Sequence, residues 1–548
     1  MKRKTLITIL CITAGIAILF FSGRYFILTK VRSALIEKMD ELKKKGISIT
    51  YNSLELNPWS GHLLTTGIRI RIGEDSTQLA ADGSATRLEI AGVEILPLLL
   101  QKSLSIQSIS IVDPHLVYTS KFKWPMDSES NSKTKAGIPL KHLSIGYIHF
   151  DNASFLMKDS IKSDTSISAT ASMVVRHLNM DQLNDSLQLR QADLTLTPVN
   201  VIVPGSYYRY QIKQVHFNMQ DKLFVLDSLK VIPLYDRDTF MQKAGEQTSR
   251  MEALLSQLSL KGLVVSRDPT LRVEVKESEV NFTLHVYRDK RYPFLKKTQA
   301  EMPMEFLQKL PFQLNIDTIK IKDSYVRYAE FPEKGDSIGY VFFEKLNSTI
   351  SHLHNRAIAN EDVTMHTTAL FMGKGKLDAH FTFPSDTTQP YKTTGSLKDF
   401  PMTQVNQILE PSFQTRIESG IMSSFGFNFI YNKVRSDGNV ELNYDQLKIV
   451  SLQKDKNDKT IVNKLKTAVI NLFVLKRNAA ETTRGDKKQG TILYYRDSRR
   501  ALFHFWWKSL FSGLVTAYKL DGLVPDLKDH GKEVSSEVKD KSKNKNKK

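Results

Sequence analysis

Few residues of this sequence have the types and spacing that catalysis requires. The chain contains no Gly-x-Ser-x-Gly motif, no Walker A phosphate loop and no His-Glu-x-x-His zinc motif. The run Gly373-Lys374-Gly375-Lys376 lacks the preceding loop and the following Ser or Thr that a phosphate-binding lysine needs. We therefore predict that the protein is not an enzyme and that it needs no cofactor.

One pair of histidines has a spacing that could hold a metal. His352 and His354 lie two residues apart beside Asn355. No cysteine and no carboxylate motif accompanies them, so we interpret them as exposed loop histidines and predict no metal site.

Composition excludes several classes of protein. Hydrophobic residues make up 41% of 548 residues, which is enough for a large core and too many for a wholly disordered chain. The one cysteine, Cys11, excludes an intrachain disulfide framework and a cysteine-rich zinc site. The formal net charge is +19, but no recognition motif accompanies it, so we expect no nucleic-acid partner.

The N-terminus predicts a membrane anchor over residues 1–29. Thr5 to Gly23 contains no charged residue, and about 20 residues of helix span a bilayer core. Lys2, Arg3 and Lys4 precede this run, which favours a cytoplasmic N-terminus. The rival is a cleaved signal peptide, but no small-x-small cleavage site follows the run. Residues 30–46 then predict a neck helix, because Ala34, Leu35, Met39 and Leu42 share one face.

Residues 47–495 predict a mainly β body, because apolar residues alternate with polar ones. The clearest alternation of apolar and polar residues occurs in two neighbouring segments of the sequence. Their apolar members, candidates for the lining of a groove, are Phe425, Phe427, Phe429, Tyr431, Val440 and Leu442.

A finer pattern recurs in this body, with apolar residues spaced by two, three and two positions. An Asp, Asn or Pro follows most copies. A three-residue step shifts the apolar face of a strand, which predicts a bulge or a strong twist, and the Asx or Pro predicts a turn. The copies are Leu104–Ile111, Leu143–Phe150, Phe224–Val231 and Leu314–Ile321, with a weaker one at Leu258–Val265.

Repeats of this kind are expected to stack on their neighbours. A long sheet twists and curls, and a curled sheet with an apolar inner face is an elongated groove. Two or three closed sandwiches in series would show the same alternation. Short helices are predicted at Thr239 to Leu258, Pro303 to Leu310 and Pro401 to Leu409, the last two opening on a proline.

The C-terminus predicts an amphipathic helix over residues 496–522. Trp506, Leu510 and Leu514 share its apolar face, Trp507 adjoins them, and basic residues lie largely opposite. These four residues are candidates for a membrane interface, because aromatic and basic residues suit that environment. The alternative is a helix that closes the end of the β body. Residues 523–548 are Lys-rich and predict a disordered basic tail.

The order of these parts resembles the AsmA/TamB-like family of envelope proteins. The resemblance rests on the anchor, on ISITYNSLELNPWSGHLLTTGIRI with SLSIQSISIVDPHLVY, on KHLSIGYIHFDNASF and PFQLNIDTIKIKDSYVRY, and on DGNVELNYDQLKI followed by YYRDSRRALFHFWWKSLFSG. It implies a single-pass protein of the inner membrane with its body in the periplasm. It also implies an apolar β-groove and a part in moving phospholipid toward the outer membrane.

From this resemblance and the pattern above we expect an envelope protein whose partners are phospholipid, the inner membrane, and outer-membrane or periplasmic components. An apolar trough fits lipid transfer, because exposing a lipid tail to water costs about 0.8 kcal/mol per CH2. The alternative is a non-catalytic structural or assembly factor whose β core is filled by its own side chains.

Overall fold

The computed structural model describes residues 46–517 apart from several gaps, together with residues 33, 37 and 39–44. The gaps are 58–59, 74–80, 95–96, 98–100, 120–140, 159–165, 184–185, 204, 268–269, 296–298, 357–360 and 453–485. The predicted anchor at 1–29 and the tail at 523–548 lie outside the described residues, while 39–44 of the predicted neck are helical. No helix among the described residues is long and apolar enough to cross a membrane.

The chain is mainly β, as predicted, and divides into two compact units, Met1–Leu229 and Lys230–Lys548. The strands of unit 1 are β1 Ile47–Thr50, β2 Ser53–Asn57, β3 His62–Ile72, β4 Ala81–Val93, β5 Ser103–Val112, β6 His115–Thr119, β7 His142–Lys158, β8 Ser166–Leu183, β9 Ser186–Ile202 and β10 Tyr208–Asn218. The boundary between the units falls within β11, Leu223–Pro233.

Unit 2 combines eleven further strands with short helices. The strands are β12 Ser249–Lys261, β13 Val264–Arg267, β14 Leu271–Asp289, β15 Gln313–Phe331, β16 Gly339–His354, β17 Val363–Phe371, β18 Gly375–Phe383, β19 Tyr391–Pro401, β20 Thr415–Tyr431, β21 Arg435–Ser451 and β22 Asp486–Tyr495. The helices are α1 Arg237–Ala244, α2 Pro303–Gln308, a 3-10 turn Met402–Val405, α3 Asn406–Phe413 and α4 Leu502–Ala517.

Both units mix antiparallel and parallel pairing. In unit 1, β5 and β6 pair in parallel with β7, and β7, β8, β9 and β10 then follow one another as antiparallel neighbours. In unit 2, β14 pairs in parallel with β15, and each strand from β15 to β22 pairs antiparallel with the next.

The two-three-two repeats pair with one another. Leu104, Ile106, Ile109 and Ile111 of β5 lie directly beside Leu143, Ile145, Ile148 and Phe150 of β7. Leu314, Ile316, Ile319 and Ile321 of β15 lie beside Val273, Val275, Ser278 and Val280 of β14, a copy in which serine replaces one apolar residue. The repeat is therefore the unit of parallel pairing in both halves of the chain.

The three-residue step in the repeat corresponds to a line of irregular positions across each sheet. In unit 1 the ladders skip Gly92, Gln107, Gly146 and His177 in turn. In unit 2 they skip Lys276, Asp317 and His352 in the same way. Gly92, His177 and His352 have positive φ (68°, 53° and 58°). The register is the same on both sides of every skipped pair, so these are unpaired positions and not bulges with an extra residue on one strand.

Two details of the prediction were wrong. Asn152 and Asp323 do not end their strands: each takes a left-handed conformation (φ 50° and 42°) as a bulge inside β7 or β15. Only Asp113, also left-handed, separates two strands, β5 and β6. The helix predicted over Thr239 to Leu258 ends at Ala244, where Gly245 caps α1 in the left-handed region, and β12 follows.

Candidate functional site

The apolar face of unit 1 is formed by side chains that lie side by side across seven strands. Direct pairing joins each member of this row, which we call lane A, to the next. Six steps of about 4.8 Å give lane A a length of roughly 29 Å. Its members are Leu63, Ile90, Ile109, Ile148, Val175, Leu194 and Phe217.

A second row, lane B, runs beside the first. Its members, joined by the same ladders, are Leu88, Ile111, Phe150, Met173, Leu196 and Val215. All of lane A is half-buried, and only Val215 of lane B is fully buried. Within the described part of unit 1, the buried hydrophobic residues are few and mostly small: Ala81, Ala85, Ile145, Ala192 and Val215. Lane A is therefore a continuous apolar row whose side chains all remain partly accessible.

The opposite face of the same strands is polar and hydrogen-bonded between strands. Ser144 Oγ donates to Asn179 Oδ1 at 2.8 Å, and Asn179 Nδ2 donates to Gln191 Oε1 at 3.0 Å. Gln191 Nε2 continues the ladder to Gln220 Oε1 at 3.2 Å. A sheet with one polar face is expected to be solvated there and to need an apolar partner on the other face.

The six residues predicted to line a groove lie in unit 2, where the chain itself covers them. Phe425, Phe429, Tyr431, Val440 and Leu442 are between 1% and 7% exposed, and Phe427 packs against the same cluster. Burial accordingly raises the pKa of Tyr431 above that of a free phenol. These side chains form the core of unit 2.

Helix α4 covers this core. Phe505 is 1% exposed and its ring meets those of Tyr431 and Tyr494, at centroid distances of 5.7 and 6.1 Å. A Cβ at Gly490 would lie 1.9 Å from the carbonyl oxygen of Gly513, so two glycines let the helix rest directly on β22.

Hydrogen bonds fix the helix to the sheet as well. Ser512 Oγ accepts from the Leu493 backbone N–H at 3.2 Å, and Thr516 Oγ1 donates to the Thr491 carbonyl at 2.8 Å. Ser509 and Ser436 share a buried hydroxyl contact at 2.8 Å.

The four residues predicted for a membrane interface divide between the two sides of α4. Trp506, Leu510 and Leu514 pack against the core, and Trp506 lies 4.8 Å from Phe381. Trp507 is 51% exposed, and Phe503 one turn earlier is 52% exposed. Trp507 also contacts Phe511 at 5.9 Å, so the outward side of α4 carries an aromatic stripe.

The histidine pair considered for a metal lies in β16 and not in a loop. His352 is exposed and has a left-handed backbone conformation. His354 is 1% exposed, and its Nε2 lies 2.9 Å from the carbonyl oxygen of Glu361. The two side chains therefore have different surroundings: one reaches solvent and the other is held by backbone.

Sequence reasoning missed much of lanes A and B. It found the members on β5 and β7 through the repeat but none on β8 to β10, because bulges at Ser172 and Asn179 break the alternation there. No protein-family model matches the chain, and no curated protein matches it.

Proposed function

We propose that this chain is a membrane-anchored envelope protein that holds phospholipid acyl chains on the apolar face of unit 1 and helps to move phospholipid between the inner and outer membranes. The observation that carries the proposal is lane A, an uninterrupted apolar row across seven strands. The anchor, the body's location in the periplasm and the partner membranes rest on the sequence alone.

The dimensions of the face suit a lipid tail. The hydrocarbon core of a whole bilayer is about 30 Å thick, so a row of roughly 29 Å is longer than a single acyl chain needs. Each CH2 that leaves water for an apolar surface contributes about 0.8 kcal/mol. A row of half-covered Ile, Leu, Val and Phe side chains offers this gain at every strand without any catalytic group.

The outward stripe of α4 supports contact with a membrane. Trp507 and Phe503 are about half exposed, and such aromatic side chains are favoured at the level of lipid headgroups. Of the residues predicted for the interface, Trp507 is therefore the one that we retain for this role.

The test is native mass spectrometry with lipid extraction on the full chain purified in mild detergent. We expect bound phospholipid in the wild type and its loss in the double variant Ile109→Asp with Ile148→Asp, because two carboxylates interrupt lane A. The matched control is Ser110→Asp with His149→Asp, which places two carboxylates on the opposite face of the same strands. Equal lipid content in both variants would contradict the proposal.

A structural or assembly role is the second candidate, and the filled core of unit 2 is the observation that favours it. There the aromatic row is covered by α4, with Phe429 2% exposed. A wild-type chain that is folded and carries no lipid would support this candidate over lipid binding.

A further inference from the structure

Two histidines and an aspartate converge on the solvent face of β17 and β18, in unit 2. His366 Nε2 lies 3.1 Å from Asp378 Oδ1, and His380 Nε2 lies 3.4 Å from the same oxygen. All three side chains are exposed, and their ligand atoms lie within 4.8 Å of one another. Twelve residues separate His366 from Asp378, so no local motif in the sequence reveals the group.

The separations between these atoms are those of metal ligands. Bonds of about 2.0–2.1 Å to nitrogen and about 2.0–2.2 Å to oxygen place neighbouring ligands of a tetrahedral zinc roughly 3.3 Å apart. The two nitrogen–oxygen distances bracket that value. Each histidine nitrogen is therefore already at the distance from the Asp378 oxygen that two ligands of one cation would have.

The strand pairing holds the group in place. His366 lies directly opposite His380 in the antiparallel ladder, and Asp378 precedes His380 by two residues on the same face. The two imidazole rings are stacked, 4.2 Å apart and 6° from parallel, so both rings must turn about their side-chain bonds for their nitrogen lone pairs to meet at one cation. Ligands fixed on paired strands lose little conformational freedom when they bind.

The backbone under the site is anchored by the core. Ala379, between Asp378 and His380, points to the other face and is 2% exposed. On the strands that flank the site, Thr349 lies beside His366 and Thr394 beside His380. These short side chains leave the outer side of the group open, which gives room for a fourth ligand.

Three lysines share this face, Lys376 on β18 and Lys392 and Lys398 on β19. Lys376, on the same face of β18, donates to Asp399 Oδ2 at 2.9 Å. The carboxylate of Asp378 is thus the acid that His366 and His380 contact, and it supplies the negative charge that offsets a bound cation.

We propose that His366, Asp378 and His380 form a binding site for one Zn²⁺ ion or a similar imidazole-preferring divalent transition metal. Two imidazoles and one carboxylate select such ions over Mg²⁺ and Ca²⁺, which prefer all-oxygen ligand sets. The fourth position faces solvent and takes water or an external ligand.

The test uses the full chain, purified with a tag that contains no histidine and stripped with a chelator. Isothermal titration with Zn²⁺ is expected to give one site per chain and no comparable signal with Mg²⁺. The double variant His366→Asn with His380→Asn is expected to weaken that site by more than about 100-fold, because even an outer-sphere partner contributes about 10–100-fold. Cobalt(II) in place of zinc reports the ligands by its visible absorption, independently of folding.

The chain offers a matched control. His142 and Asp181 form an exposed cross-strand pair at 2.6 Å, but this pair has no second histidine among the described residues. His142→Asn should leave zinc stoichiometry and affinity unchanged. Absence of stoichiometric zinc binding, equal binding in the His366/His380 double variant, or loss of binding in the His142 control would each overturn the proposal.

Discussion

Units 1 and 2 use the same strand pattern and differ in what lies against their apolar faces. Each contains a parallel pair of two-three-two repeats and a line of unpaired positions at the three-residue step. In unit 1 every residue of lane A is half-buried, whereas in unit 2 the later strands carry a filled core in which Phe429 and Leu442 are nearly inaccessible.

In unit 2, segments outside the strands contribute to the core. In unit 2 the connection between the parallel strands β14 and β15 places Met302 and Met304 in the core, each 1% exposed. Helix α4 adds Phe505 to the same core. The matching connection in unit 1 contains residues 120–140, which include four Ser and four Lys as well as Phe122, Trp124 and Met126. In unit 2, therefore, residues of a connection and of a helix fill the core beside the strands.

The largest effect is expected from a charge placed under α4. Phe429→Asp removes a ring that is 2% exposed and buries a carboxylate without a partner. We expect it to lower the free energy of unfolding of unit 2 by at least about 4 kcal/mol. Urea titration followed by tryptophan fluorescence checks this, since Trp506 packs against the affected core.

The counterpart in unit 1 is Ile109→Asp, on a half-buried face. It should cost far less, about 1 kcal/mol, because the carboxylate stays in contact with water. Similar losses for the two variants would contradict the distinction between a filled and an open face.

The next largest effect is a dependence of the stability of unit 2 on pH. Burial is the largest cause that lowers the pKa of His504 to about 3; the charges of Lys508, Arg500 and Arg288 act in the same direction, and Asp497 opposes them. As pH falls, His504 therefore takes up a proton in the unfolded chain before it does so in the folded chain. Proton uptake by the unfolded chain lowers the free energy of unfolding as pH drops from 6.5 toward 3. The contribution is at most about 1.4 kcal/mol per pH unit.

The variant His504→Gln isolates this contribution. Its urea midpoint is expected to vary less steeply than that of the wild type between pH 6.5 and pH 4. Parallel curves for the two proteins would show that His504 is not shielded from protons as the packing of α4 requires.

A moderate effect is expected where α4 touches the sheet. A methyl group at Gly490 would collide with the Gly513 carbonyl, and the backbone cannot yield easily. Gly490→Ala should cost about 1–3 kcal/mol, as overpacking does, and should raise the exposure of Trp506 to a fluorescence quencher. Gly426→Ala on β20, where a Cβ meets nothing nearer than 3.9 Å, is the control.

The smallest effect is expected at a feature that both units contain, a left-handed glycine beside an unpaired strand position. Gly92 and Gly262 have nearly equal positive φ, 68° and 69°. Gly92 lies against the side chain of Gln107, and Gly262 lies against that of Lys276. Alanine at either position should cost about 1–2 kcal/mol, because L-residues are disfavoured there. Thermal unfolding of the two variants measures the loss of stability. A large loss at only one of the two glycines would show that the two positions are not equivalent.

The strands could be predicted because alternation and bulged repeats are local features. The repeat at Leu314–Ile321 predicted an irregular position at its three-residue step, and both ladders skip Asp317 there with the register unchanged. Where a bulge broke a simpler alternation, prediction failed: in β12 the ladder shifts between Leu255 and Gln257, so Leu254, Leu255 and Leu258 imitated helical spacing.

The covering of the aromatic row could not be predicted from alternation. Phe425 to Tyr431 show the same period of two whether lipid or a helix lies against them. Whether a helix covers the row depends on the contact of Gly490 with Gly513 and of Ser512 with Leu493. These residues lie about 20 positions apart, and no single motif displays them.

We propose that unit 1 holds acyl chains and that unit 2 does not. The direct measurement is photocrosslinking in membranes, with a light-activated amino acid at Ile109 or Ile148 and, in separate proteins, at Phe429 or Val440. Mass spectrometry then identifies lipid adducts. We predict phospholipid adducts at the first two positions and intramolecular crosslinks alone at the other two. Lipid adducts at Phe429 with none at Ile109 would contradict the account.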